Sequence, residues 1–223
     1  ILFSTVLFVS AGVQVRPDVP QSALLLWAVL EIVRHGEDGK PRRLIAAAFL
    51  ISLAFLFLQK TILFLPAAAA AGLLRSRGPV ARRPSAGTAA ACLAAFLAPI
   101  AFFLLALKSR GMLADYWTCG WLFNLSRGSV VPPLSLWLAT LGENVGQYAL
   151  GLAAFALSVR RERRRRIPPL LPATIAVFGT VPFLLGSPYG QYFLLPIALM
   201  SVLVGGLLKD TLPLLVRRRT AAA

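Results

Sequence analysis

Residues Leu44–Leu74 read LIAAAFLISLAFLFLQKTILFLPAAAAAGLL, a run of thirty-one residues broken only by Gln59-Lys60-Thr61. As one helix it would extend about 46 Å at 1.5 Å per residue, far beyond the roughly 30 Å hydrocarbon core of a bilayer. As two half-length helices meeting at Lys60, each would run roughly 20–23 Å. Charge arbitrates between the two. With a hairpin here, the loops alternate so that one side holds eighteen Lys and Arg and the other five. With a single helix the split falls to fifteen against seven, and Lys60 is left at the middle of the membrane. Cytoplasmic loops are enriched in Lys and Arg, and an intramembrane charge is costly, so the hairpin is the expected arrangement.

The rest of the chain agrees. Of its 223 residues 58% are hydrophobic, and the mean hydropathy is +0.76, well above an average soluble domain. The net charge of +15 would suggest nucleic acid in a soluble protein. Here the cations cluster between apolar segments, at Arg34–Arg43, Arg75–Arg83, Arg160–Arg166 and Lys209–Arg219, and these clusters read as cytoplasmic anchors. The expected fold is therefore all-α, a polytopic transmembrane helical bundle of about seven passes including short hairpin helices. It forms a single transmembrane domain over residues 1–223, with a cytoplasmic C-terminus.

The apolar segments are Ile1–Val15, Gln21–Val33, Leu44–Leu58, Ile62–Leu74, Thr88–Leu107, Leu134–Val159, Pro168–Leu185 and Tyr192–Leu208. Ile1–Val15 has no basic leader and reads as the end of a span in a longer protein. Arg-rich, Ala-rich composition suggests a bacterial inner membrane. Two cysteines, Cys92 and Cys119, and one histidine, His35, give no basis for a disulfide framework or a zinc site. A Walker loop, HExxH and GxSxG are all missing, which leaves ATP-driven transport, zinc proteolysis and lipase chemistry without support.

On this topology the outer face holds Arg16–Pro20, Gln59–Thr61, Lys108–Pro133 and Gly186–Gln191. Asp18, between two prolines and beside Arg16, is read first as a helix-capping partner of Arg16. The other reading is a ligand for metal or sugar, or a base. Lys60 at the hairpin tip is suited to a lipid phosphate or pyrophosphate, or else snorkels to the headgroups. Glu143 and Asn144 are either functional intramembrane polar groups or follow a separate short helix that leaves Glu143 in water. Leu113, Tyr116, Trp117, Trp121 and Leu125 fall at helical spacing and describe an aromatic stripe in the membrane interface. Tyr189, Gln191 and Tyr192 form a polar-aromatic outer turn, read as an aromatic belt or a sugar contact.

Four segments, in order, resemble the GT-C type membrane glycosyltransferases, the protein mannosyltransferase-like and aminoarabinose transferase-like enzymes among them. They are VQVRPDVPQSALLLWAVL, RRLIAAAFLISLAFLFLQKTILFLPAAAAAGLL, DYWTCGWLFNL and SPYGQYFLLPIALMSVLVGGLL. The resemblance implies transfer of a sugar from a polyprenyl-phosphate carrier to an acceptor on the outer face, with membrane lipid as partner and nucleic acid as none. It places the catalytic acid upstream of Ile1, and it makes Lys60 the carrier-phosphate residue and Arg16 and Asp18 part of the site. No cofactor is required by it, although a divalent metal is compatible. Gln191 stands where many relatives carry a basic residue. The rival expectations are a lipid or solute transporter working through Glu143, and a non-catalytic membrane scaffold.

A reporter fused within Arg160–Arg166 is expected to be active only on the cytoplasmic side. Activity of a periplasm-dependent reporter there would invert every assignment of outer and inner face.

Overall fold

The computed structural model describes residues 17–65, 84–122, 133–162 and 194–220. Seven α-helices occur among them: α1 (Asp18–Asp38), α2 (Pro41–Phe57), α3 (Ala86–Ser109), α4 (Leu113–Trp117), α5 (Pro133–Glu143), α6 (Val145–Glu162) and α7 (Leu194–Thr220). A 3-10 turn at Gln59–Leu63 follows α2, and a π-helical turn at Thr118–Leu122 follows α4. No strand is present among the described residues, as the all-α expectation requires.

The segment Gln21–Val33 becomes a longer helix than its apolar run suggests. α1 begins at Asp18 and continues through Arg34 and His35 to Asp38. The expected loop Arg34–Arg43 shrinks to Gly39 and Lys40. Gly39 ends α1 at φ 69°, a left-handed conformation that costs glycine nothing, and its N–H donates to the His35 carbonyl at 2.8 Å. Pro41 then starts α2, where its missing N–H has no helical partner to lose. The polar residues of this corner are consumed in ion pairs. Arg43 donates from Nε to Asp38 at 2.7 Å and from Nη1 to Glu31 at 3.0 Å, and Arg34 donates to the other Glu31 oxygen at 2.9 Å. Charges that read as a loop thus fasten two antiparallel helices at one end.

α2 stops at Phe57. Leu58 is extended, with φ −150° and ψ 121°, and the 3-10 turn follows. A continuous helix over Leu44–Leu74 is therefore excluded. Most of Ile62–Leu74 lies outside the described residues, as do Ile1–Val15 and Pro168–Leu185.

One apolar core joins the pieces. Leu25, Ala28 and Val29 of α1 meet Ala47, Leu50, Ile51 and Ala54 of α2, with Leu195, Leu199 and Leu203 of α7 packed against them. The α7 positions recur every four residues, one face of a helix. α3 lies against α2 with none of its residues buried, and Phe102 and Leu105 are 76% and 65% exposed. An apolar helix of 24 residues turned outward in this way suits lipid rather than water. Among the described residues it alone is long and apolar enough to cross a membrane, so the expected count of about seven passes is not confirmed. α7 also departs from expectation, since the basic tail Lys209–Arg219 continues the helix to Thr220.

α6 and α7 pack tightly at Gly151, where a Cβ would stand 2.9 Å from Met200 Sδ and 3.0 Å from Met200 Cβ. Gly146 has nothing within 4 Å. Gly151→Leu is expected to destabilise the detergent-solubilised protein by ~1–3 kcal/mol, and Gly146→Leu to be close to neutral. Equal thermal shifts for the two variants would contradict this packing.

Candidate functional site

The site follows from helix arithmetic. α1 has 21 residues and α2 has 17, so they run about 32 Å and about 26 Å in opposite directions. The extended residue Leu58 and the start of the 3-10 turn supply the remaining few ångströms. The turn therefore returns to the level of Asp18, at the end opposite the Arg43 corner.

There Lys60 Nζ donates to Asp18 Oδ1 in a salt bridge. The side chains are only 11% and 8% exposed. A second polar pair lies beside it: Gln21 Nε2 donates to Thr61 Oγ1 at 2.6 Å, with both residues buried. Asp18 and Gln21 sit three apart on α1, and so share a helix face. Lys60 and Thr61 are neighbours in the turn. The cluster is thus two rungs between the same two elements, one ionic and one neutral.

Burial pulls the Lys60 ammonium down, to about 8 net of the Asp18 carboxylate and its hydrogen bond, which oppose the shift. Lys60 belongs to the turn and not to a spanning helix. Its charge is thus conditional on pH in a range that ordinary lysines never approach.

Gln59, on the other side of Lys60, reaches the aromatic segment. Its Nε2 lies 3.5 Å from the Tyr116 hydroxyl, the long limit of a hydrogen bond. At Gly120 an added Cβ would stand 3.3 Å from the same nitrogen, a tight contact with the end of the Gln59 side chain. Trp117 and Trp121 stack at 5.8 Å between centroids, and Trp121 leans on Phe55 of α2. The expected interfacial helix is realised as α4 and the π-helical turn, and Leu125 lies outside the described residues.

The N-cap of α1 is Pro17, with no side-chain cap bond; Asp18 lies in the first turn and pairs with Lys60, while its expected partner Arg16 lies outside the described residues. Sequence spacing favours the local partner because the distant one becomes near only after the hairpin forms. Lys60 is buried on Asp18. Glu143 ends α5 and is exposed, which matches the separate short helix. Asn144 is buried at the break, donating to the Thr140 carbonyl at 3.0 Å. Arg16, Tyr189, Gln191 and Tyr192 lie outside the described residues. Gln21, Thr61 and Tyr116 were not singled out as site residues from sequence. The i, i+3 relation of Gln21 to Asp18 and the adjacency of Thr61 to Lys60 were the available signals.

Residues 1–103 match the family model of dolichyl-phosphate-mannose-protein mannosyltransferase. The match agrees with the GT-C resemblance over these residues, which are less than half of the chain. It takes in α1, α2, the Lys60 turn and most of α3, hence both rungs of the polar cluster. No curated protein and no solved structure matches the chain.

Removing one partner of a buried ion pair strands the other. Asp18→Asn and Lys60→Met are each expected to cost ~3–5 kcal/mol in detergent, and the double variant less than their sum. Strictly additive losses in a double-mutant cycle would show that the two charges do not interact.

Proposed function

We propose that the chain is part of a bacterial inner-membrane glycosyltransferase that moves a sugar from a polyprenyl-phosphate carrier to an acceptor on the outer face. The carrying observation is the paired polar cluster of Asp18, Gln21, Lys60 and Thr61 within the family-matched region. The end of the hairpin opposite the basic Arg34–Arg43 corner is the outer end under the positive-inside rule. Lys60 there would meet a lipid-linked phosphate at headgroup level.

In such a transfer an acceptor oxygen attacks the anomeric carbon, the carbon–oxygen bond to phosphate breaks, and negative charge accumulates on the departing polyprenyl phosphate. A cation positioned beforehand lowers the energy of that charge most where water is excluded. Lys60 fills this role. Asp18, engaged by Lys60, holds the ammonium in place and is not assigned the acceptor proton. That proton goes to a carboxylate base, which none of the residues named above supplies. Gln21 and Thr61 fix the turn on α1, so that the ammonium is aimed before substrate arrives.

The test is sugar transfer by the full-length gene product in membranes, read as a function of pH. Lys60 is cationic below about 8 and loses its charge above it. Transfer is expected to fall as pH rises through that range, and Asp18→Asn, which removes the opposing attraction, is expected to move the falling limb to lower pH. Lys60→Ala is expected to lose transfer by at least about 100-fold, the order typical of removing one preorganised charge-stabilising group. Absence of turnover with every common polyprenyl-phosphate sugar, or full turnover by Lys60→Ala, would remove this reading.

A further inference from the structure

Polar groups collect a second time where α5 gives way to α6. Thr140, Asn144, Gln147 and Tyr148 are all buried, and Gly151 and Ala154 continue the same face. Spacings of three and four keep that face in line across the corner. The backbone is opened there. The Asn144 N–H donates to the Leu141 carbonyl at 3.2 Å, three residues back rather than four, and leaves the Thr140 carbonyl unserved. The Asn144 side chain takes its place, with Nδ2 donating to that carbonyl at 3.0 Å. A carbonyl only accepts, so the amide nitrogen must face Thr140 and Oδ1 is the atom turned away. Asn144 Oδ1 is closed to bulk solvent and meets no donor among the described residues. One turn on, Gln147 Nε2 donates to Ser201 Oγ of α7 at 2.6 Å, and Ser201 donates to the Ile197 carbonyl at 2.9 Å, which latches the corner to α7.

A buried amide oxygen with no donor is costly, and most costly where lipid replaces water. With the Arg160–Arg166 run at the inner boundary, Asn144 stands sixteen residues away, about 24 Å of helix, and so inside the roughly 30 Å hydrocarbon core. We infer that the α5–α6 corner binds a water molecule on Asn144 Oδ1, between α6 and α7. The chemistry of the corner selects this ligand. A divalent cation requires carboxylates, whereas the four buried side chains are neutral and Glu143 beside them is exposed. A sugar or a lipid headgroup does not reach an atom closed to bulk solvent. Water is the donor small enough, and Gln147 and Tyr148, three and four residues along the same face, are the further polar groups that a buried water needs. The bound water completes the opened turn and keeps the short helix α5 joined to α6 at hydrocarbon depth. The corner lies outside the family-matched residues 1–103, and the inference does not depend on the transferase reading.

The experiment is X-ray radiolytic footprinting of the full-length protein in nanodiscs, with oxidised residues mapped by mass spectrometry. Radiolysis makes hydroxyl radicals from water where it stands, so a bound water oxidises a neighbouring side chain that bulk water does not reach. Tyr148, only 4% exposed and one helical turn from Asn144, is the reporter. The expected result is oxidation of Tyr148 in spite of its burial. After mixing into heavy-oxygen water, Tyr148 is expected to take up the label more slowly than solvent-exposed residues, as a held water exchanges. Asn144→Leu is expected to lose the Tyr148 oxidation, and Gly146→Leu, on the open face, to keep it. An unoxidised Tyr148 in the wild type, or equal oxidation in Asn144→Leu, would overturn the site. Label uptake at the bulk rate would overturn it too, because it describes an open crevice. The exchange measurement uses the wild type alone, and so decides the matter even where Asn144→Leu does not fold.

Discussion

A lysine and an aspartate buried against each other set the terms for everything around them. Each charge taken out of water costs several kcal/mol, and their mutual attraction recovers that only with good geometry and satisfied neighbours. Lys60 and Asp18 sit forty-two residues apart in sequence, so the pair exists only if α1 and α2 return to the same level. The Gly39 reversal, the Arg43 ion pairs at the far corner and the extended Leu58 all serve that return. The Gln21–Thr61 bond beside the pair is the neutral rung that keeps the turn from sliding along α1.

The two ends of this hairpin divide two kinds of electrostatics. At the corner, Glu31, Arg34, Asp38 and Arg43 form a network that shares the charge, with Arg34 46% exposed, Asp38 and Arg43 about a quarter exposed and Glu31 buried. At the other end a single pair is nearly closed to solvent, and its lysine is displaced toward neutral pH. Strong perturbation by burial and one specific partner is the pattern of functional groups more often than of structural ones. A transferase needs such a group where charge develops on a leaving phosphate.

What was legible in the sequence was local or additive. Apolar runs and Lys/Arg clusters gave the helices and the break at Gln59-Lys60-Thr61, and the same residues carried the resemblance that the family match bears out over residues 1–103. Glu143 was legible as a helix end because Leu134–Val159 is too long for one span. Boundaries were less so: α1 and α7 run on through charged residues, since ion pairs and helix continuation outweigh the polarity that marks a loop. The Asp18–Lys60 and Gln21–Thr61 pairs were illegible as pairs, because no local pattern encodes a contact created by helix lengths. Asp18 beside Arg16 pointed to the near partner. Trp117 and Trp121 were visible as a stripe, but their tie to Lys60 through Gln59, Tyr116 and Gly120 was not.

The central claim is that the Lys60 turn opens to the outer face and receives a lipid-linked phosphate. The most direct measurement places a single cysteine at Gln59, with Cys92 and Cys119 replaced by serine, and treats intact cells with a membrane-impermeant maleimide. The account predicts labelling from outside without permeabilisation, and protection by polyprenyl phosphate. Labelling that appears only after the membrane is opened to the cytoplasmic side, or labelling indifferent to polyprenyl phosphate, would contradict it.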